Sequence, residues 1–396
     1  MMKEIISKIE KCVFLKVRLI CLMLIIISLS FNYYEVYAQE VNYNEKIRNY
    51  NIENVIEVFD SYTQESEFKE FNSKTLLQNL IESNGKVNSK TINTLLKTIF
   101  ERIKDTLRET MTLFALIVLF MIISNIQFSD RSDVITIGKI IIYISLSTIL
   151  VKNYLNLIVV FRDIINKLTI ILQTVSTFLI GVVVATGKIS SSTVIESVIL
   201  SIANLITFLV EYVVIPCFRV SMTISVISRI SNNIKLSKFS TIFRKASLYI
   251  FLTILGVFLS FLKLETSITT SMDGMTYKVA QDAVSNAVPV VGGFLSDSLD
   301  TVISSTKVIG KVGGVFSIIC TTVIVLDPII KIVSYILVYT IIIATSETLN
   351  ADGDVKELLT EFTKLYKDML GIIIGVMTIF VISTAIIMNI IGNIGG

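Results

Sequence analysis

Hydrophobic residues in this chain come in long continuous runs, not in the alternating pattern of a half-buried strand. After an apolar stretch near the N-terminus, eight further runs follow, at 111–126, 135–161, 164–186, 194–215, 246–264, 312–326, 329–344 and 369–391. A helix needs about 20 apolar residues to cross a hydrocarbon core of about 30 Å. The runs at 164–186, 194–215, 246–264 and 369–391 meet or approach that length; the others are shorter or interrupted. The pattern predicts an all-α polytopic membrane protein with seven or eight hydrophobic segments.

Residues 1–38 have the form of an export signal. Lys3, Lys8, Lys11, Lys16 and Arg18 precede the apolar run Leu19 to Leu29, and Val36-Tyr37-Ala38 supplies small residues before Gln39. On this reading the chain from residue 39 begins outside the cytosol. Residues 39–106 are the one sizeable hydrophilic stretch. In its second half Ile92, Leu95, Leu96, Ile99, Ile103 and Leu107 recur at helical spacing. The expectation is an extracytoplasmic helical segment, acting as a docking stalk or lying on the bilayer surface.

Charge then tests the count of crossings. The segment 216–245 carries Arg219, Arg229, Lys235, Lys238, Arg244 and Lys245 and no acidic residue, which predicts a basic cytosolic loop. A chain that starts outside must cross an odd number of times before it, yet four runs precede it. The run 138–161, split by Lys152-Asn153, is the one expected to turn back as a re-entrant hairpin. About seven crossings remain, with the C-terminus inside. Likewise Asp327-Pro328 splits 312–344, which as one helix would be about 50 Å long. A helical hairpin, a broken re-entrant pair or an interfacial turn is expected there, because Pro removes a backbone donor and Asp is costly in lipid. The resulting division is a signal peptide at 1–38, the outer segment at 39–106, a first group of membrane helices at 107–264, an amphipathic segment at 265–311 and a second group at 312–396.

Composition narrows the function classes. The 396 residues contain no His and no Trp, 53% are hydrophobic, and the net charge is only +3. Interspersed charges of both signs give no nucleic-acid surface. Cys12, Cys21, Cys217 and Cys320 have no metal-type spacing. Gly181 to Lys188 looks superficially like a phosphate loop, but five residues separate its glycines and Ile189 stands where Ser or Thr is required. No catalytic, cofactor or metal site is expected. Lys152, Asp327 and Pro328 are the candidate intramembrane polar positions, and two interrupted segments in one bundle would suit a secondary transporter. Gly310/Gly314 and Gly371/Gly375 have the small-xxx-small spacing that lets helices approach closely, within one chain or between copies of a homo-oligomer.

Between the two groups of spans, Met275 to Val288 is rich in small residues, with Lys278 and Asp282 spaced to pair. Val288-Pro289-Val290-Val291-Gly292-Gly293 then turns the chain into a second amphipathic stretch, with Leu295, Leu299, Val302 and Ile303 on one side and Asp297, Asp300, Ser304 and Lys307 on the other. The stretch from Gln281 to Val302 resembles the central signature of the stage III sporulation protein AE family, as does the order of parts over residues 40–396. Gly293, where a charged residue is expected, is a departure. The resemblance implies a structural signature at Pro289, Gly292, Gly293, Asp297 and Asp300 and no catalytic residues. It also implies a membrane subunit in the mother cell of an endospore former, in a channel-like complex with sister membrane proteins and, indirectly, a forespore-side partner. The alternative is a permease that uses the interrupted helices.

Overall fold

In the computed structural model, the residues described are 52–65, 73–82, 132–185, 189–230, 238–258, 292–348 and 353–392, with isolated positions at 104–119 and residue 260. Two short helices, α1 (Ile52–Glu65) and α2 (Ser73–Glu82), come first. Then follow α3 (Ser132–Ala185), α4 (Ile189–Leu209), a π-helical turn (Val210–Val214) and α5 (Ile215–Ile230). The last elements are α6 (Lys238–Phe258), α7 (Gly292–Thr348) and α8 (Gly353–Gly392). All regular structure among the described residues is helical. Five helical stretches there are long and apolar enough to cross a membrane: Tyr143–Ala185, Ser192–Ser228, Lys238–Phe258, Thr306–Glu347 and Val355–Ile391. The signal segment, the first span at 111–126 apart from its few isolated positions, and Pro289 lie outside the described residues.

Two expected interruptions are absent. Helix α3 runs through Lys152-Asn153 without a break, so 138–161 is not a re-entrant hairpin but the first part of one helix with 164–185. Lys152 points outward and is exposed, so the helix need not open to accommodate it. Helix α7 likewise continues through Asp327-Pro328, with Pro328 buried inside it. The energetics favour continuity. A proline in a helix costs roughly 3 kcal/mol, whereas ending two helices inside an apolar bundle strands several backbone groups at several kcal/mol each. The separate hydrophobic runs therefore fuse into fewer, longer rods. The basic stretch expected as a loop is also mostly helical, since α5 extends to Ile230 and α6 begins at Lys238.

The π-helical turn has a local cause. Pro216 lies two residues beyond its end, and a proline ring clashes with the carbonyl one turn back, which here falls inside the turn. Widening the turn, with the Ile215 N–H donating to the Val210 carbonyl, relieves that clash without breaking the rod.

Side-chain neighbours fix the directions of the rods. Tyr154 of α3 stacks near Tyr366 of α8, and farther along Val182 and Ile391 both flank Gly310 of α7. Helices α3 and α8 are thus parallel, and α7 runs antiparallel between them. Cross-contacts Gln173–Asn204, Thr169–Thr207 and Arg162–Glu211 make α4 antiparallel to α3. Helices α1 and α2 dock on the side of this bundle. Val55 and Phe59 are buried while Glu53, Asn54 and Glu57 face outward. Phe59 meets Phe316 of α7 edge to face at 5.7 Å, and Lys167 of α3 lies 5.4 Å from the Tyr62 ring centre.

Candidate functional site: a buried polar and aromatic level

Three of the largest fully buried side chains among the described residues, Tyr154, Tyr339 and Tyr366, meet at one level of the bundle. Tyr335 and Tyr339 are one helical turn apart on α7, as Phe362 and Tyr366 are on α8. Spacing of this kind puts each pair on one helix face. The faces meet, and Tyr154 of α3 closes the cluster. Tyr366 lies 5.5 Å from Tyr339, 6.0 Å from Tyr335 and 6.1 Å from Tyr154, and Tyr154 meets Phe362 at 5.6 Å. The Tyr339 and Tyr366 hydroxyls are 3.5 Å apart, and Asn153 sits beside the former. The Tyr154 hydroxyl has no hydrogen-bond partner among the described residues.

Just beyond Tyr366, Asp368 accepts from Arg244 of α6 in an ion pair whose side chains are only 11% and 10% exposed. One and two turns earlier on α8, Lys364 pairs with Glu361 at 2.6 Å. A second anchor joins α6 to α5, where Ser240 lies 2.9 Å from Ser221 and 2.6 Å from Ser225. The third contact of α6 is steric. A Cβ at Gly375 would come within 2.7 Å of the Phe251 ring, so α8 needs glycine there to admit α6. Gly371, one turn earlier, has nothing within 4 Å of where its Cβ would lie. Of the expected packing pair, Gly375 makes a close approach and Gly371 does not. Gly375→Ala should therefore destabilise the protein by about 1–3 kcal/mol through overpacking. Gly371→Ala should be neutral or gain up to about 1 kcal/mol from helix propensity. Thermal unfolding of the two variants in detergent checks the contrast.

The remaining expected positions do not converge. Lys152 adjoins Asn153, which lies at the level of Tyr339, whereas Asp327 is more than three turns away along α7, about 18 Å. The two cannot form one ion site. Gly292 and Gly293 open α7, and Asp297 and Asp300 fall in its first turns. Sequence reasoning missed the Arg244–Asp368 pair and the tyrosine cluster. The one-turn spacing of Tyr335/Tyr339 and Phe362/Tyr366 was the available signal.

Chemically, this level joins helices: hydroxyls and an ion pair bond across α5, α6, α7 and α8, and the Tyr154 ring adds α3 by aromatic contact. Among the described residues no group of three His, Cys, Asp or Glu side chains could hold a metal. Comparison with known proteins supplies what the geometry does not. Residues 71–390 match the family model described as stage III sporulation protein AE. The stage III sporulation protein AE of Bacillus subtilis (strain 168) is 23% identical over 236 residues, which cover 58% of this chain and 57% of that relative. The matched region thus spans little more than half of that relative's length. No solved structure matches the chain. With a family match over most of its length and five apolar helices fit to span a bilayer, the chain is a membrane protein of the stage III sporulation protein AE family.

Proposed function

We propose that the protein is a mother-cell membrane subunit of the complex that spans the two membranes around the engulfed forespore, working as a scaffold or conduit component without catalysis. The family match carries this reading. The way the polar side chains are used supports it, because the ion pair and hydroxyls tie helices together instead of converging on an open pocket. Its partners would be sister membrane subunits and, through them, a forespore-side protein. The permease alternative rested on interrupted helices, and both helices are continuous.

Deleting the gene in its native host and imaging forespores through engulfment tests the proposal. The expected result is arrest after engulfment, with small or collapsing forespores and normal vegetative growth. Normal spores would overturn it, and so would a growth defect tied to a single nutrient.

A further inference from the structure

The outward faces of the spans differ. Helix α6 exposes Phe239, Ile242, Phe243, Tyr249, Ile250, Leu252 and Val257, an apolar surface suited to lipid. The face shared by α3 and α4 also exposes apolar side chains, among them Val159, Ile170, Leu205 and Phe208, but a polar stripe runs between them. There Arg162 pairs with Glu211 at 2.5 Å with the arginine 53% exposed, and Asp163, 59% exposed, pairs with Lys167. Farther along the same groove Gln173 donates to Asn204 at 3.1 Å on the exposed side, and Thr177 and Ser201 also face outward.

The length of α3 sharpens the point. Its apolar span of 43 residues is about 65 Å long, twice the hydrocarbon thickness. A slab of about 20 residues centred on its first part covers exposed Lys152, and one centred on its middle covers Arg162 and Asp163. A slab over its last part holds half-buried Lys167 and, on α4, Glu196, and turns Gln173, Thr177, Ser201 and Asn204 outward. In every placement the α3/α4 face turns polar groups outward, whereas the exposed charges of α6, Lys238 and Lys245, lie in its first half. Ionisable groups within a membrane span face protein or enclosed water rather than lipid.

We propose that the α3/α4 face packs against the same face of a second copy of this chain, enclosing the polar stripe between two protomers. Charge identifies the occupant. Arg162 and Asp163 are adjacent, opposite in sign and each more than half exposed. A two-fold axis sets Arg162 of one copy against Asp163 of the other and the reverse, the self-complementarity of an isologous contact. With Lys167 and Glu211 included, the level is electrically neutral and does not repel its own copy. Gly181, exposed and with nothing within 4 Å of where its Cβ would lie, lets the two surfaces come close. The inference rests on the membrane-spanning reading and not on the sporulation role.

The test is disulfide cross-linking in native membranes, in a background with Cys12, Cys21, Cys217 and Cys320 replaced by Ser. Thr177→Cys and Gly181→Cys should each give a species of twice the chain mass under oxidation, and Ile250→Cys on α6 should not. Val194→Cys on α4 substitutes for either position whose variant fails to accumulate. Absence of a dimer at all of these positions, with the chain present at its normal level, overturns the proposal. A cross-link equally strong at Ile250 does so too, as does a heavier adduct to a different protein in place of the dimer. Spore yield is scored separately in the same strains, so failure of the sporulation role and failure of the contact are read independently.

Discussion

Arg244→Ala should lower the unfolding free energy by roughly 3–5 kcal/mol, the usual cost of leaving a buried partner charge uncompensated. Both side chains of the Arg244–Asp368 pair are about nine-tenths buried, so solvent cannot take over from the missing guanidinium. The loss should be seen as a large fall in unfolding temperature in detergent, with α6 the first element to become protease-sensitive. Helix α6 is the least buried of the five spans and depends on few anchors. Replacing both partners, Arg244→Met with Asp368→Leu, should recover most of the stability, because the desolvation cost of two charges disappears with them. A single variant that loses less than about 1 kcal/mol would mean the pair behaves as an exposed one.

Tyr366→Ala should be nearly as damaging, at about 3–5 kcal/mol. Its ring is fully buried and contacts Tyr154, Tyr335, Tyr339 and Phe362, so truncation opens a cavity where α3, α7 and α8 meet. Tyr154→Phe, one ring away, is the matched control. Its hydroxyl is buried without a partner, so deleting it should leave stability unchanged or improve it slightly. Equal losses in the two variants would indicate that the Tyr154 hydroxyl makes a bond after all.

How much of this was legible in the sequence depends on what each residue needed. Long apolar runs announced membrane helices, and the Gln281–Val302 segment announced the family, because both signals are local. The breaks predicted at Lys152-Asn153 and Asp327-Pro328 were wrong for a tertiary reason. A charged side chain on the outer face and a single missing backbone donor are local defects, and packing along the whole rod outweighs them. The basic stretch after Pro216 looked like a loop because its charges were read without their faces. Arg244 turns inward to Asp368, 124 residues away, while Lys245 beside it is exposed. No spacing rule joins residues that far apart. The tyrosine level was half visible, as two one-turn pairs whose meeting only the fold decides.

The widened turn at Val210–Val214 has a further consequence for the chain that follows it. A π-helical turn takes up one residue more than an α-helical turn, so the five residues Val210–Val214 advance the chain about as far around the axis as four would in an ordinary helix. Tightening the turn into α-helix with all five residues kept would swing everything downstream by about 100° around its axis. Ser221 and Ser225 would leave Ser240, and α6 would lose its anchor to α5 although every side chain remained in the protein. The turn thus holds a surplus residue and keeps the helix in phase, so a one-residue deletion in Val210–Val214 should be tolerated better than a one-residue insertion there, as unfolding temperature in detergent would show.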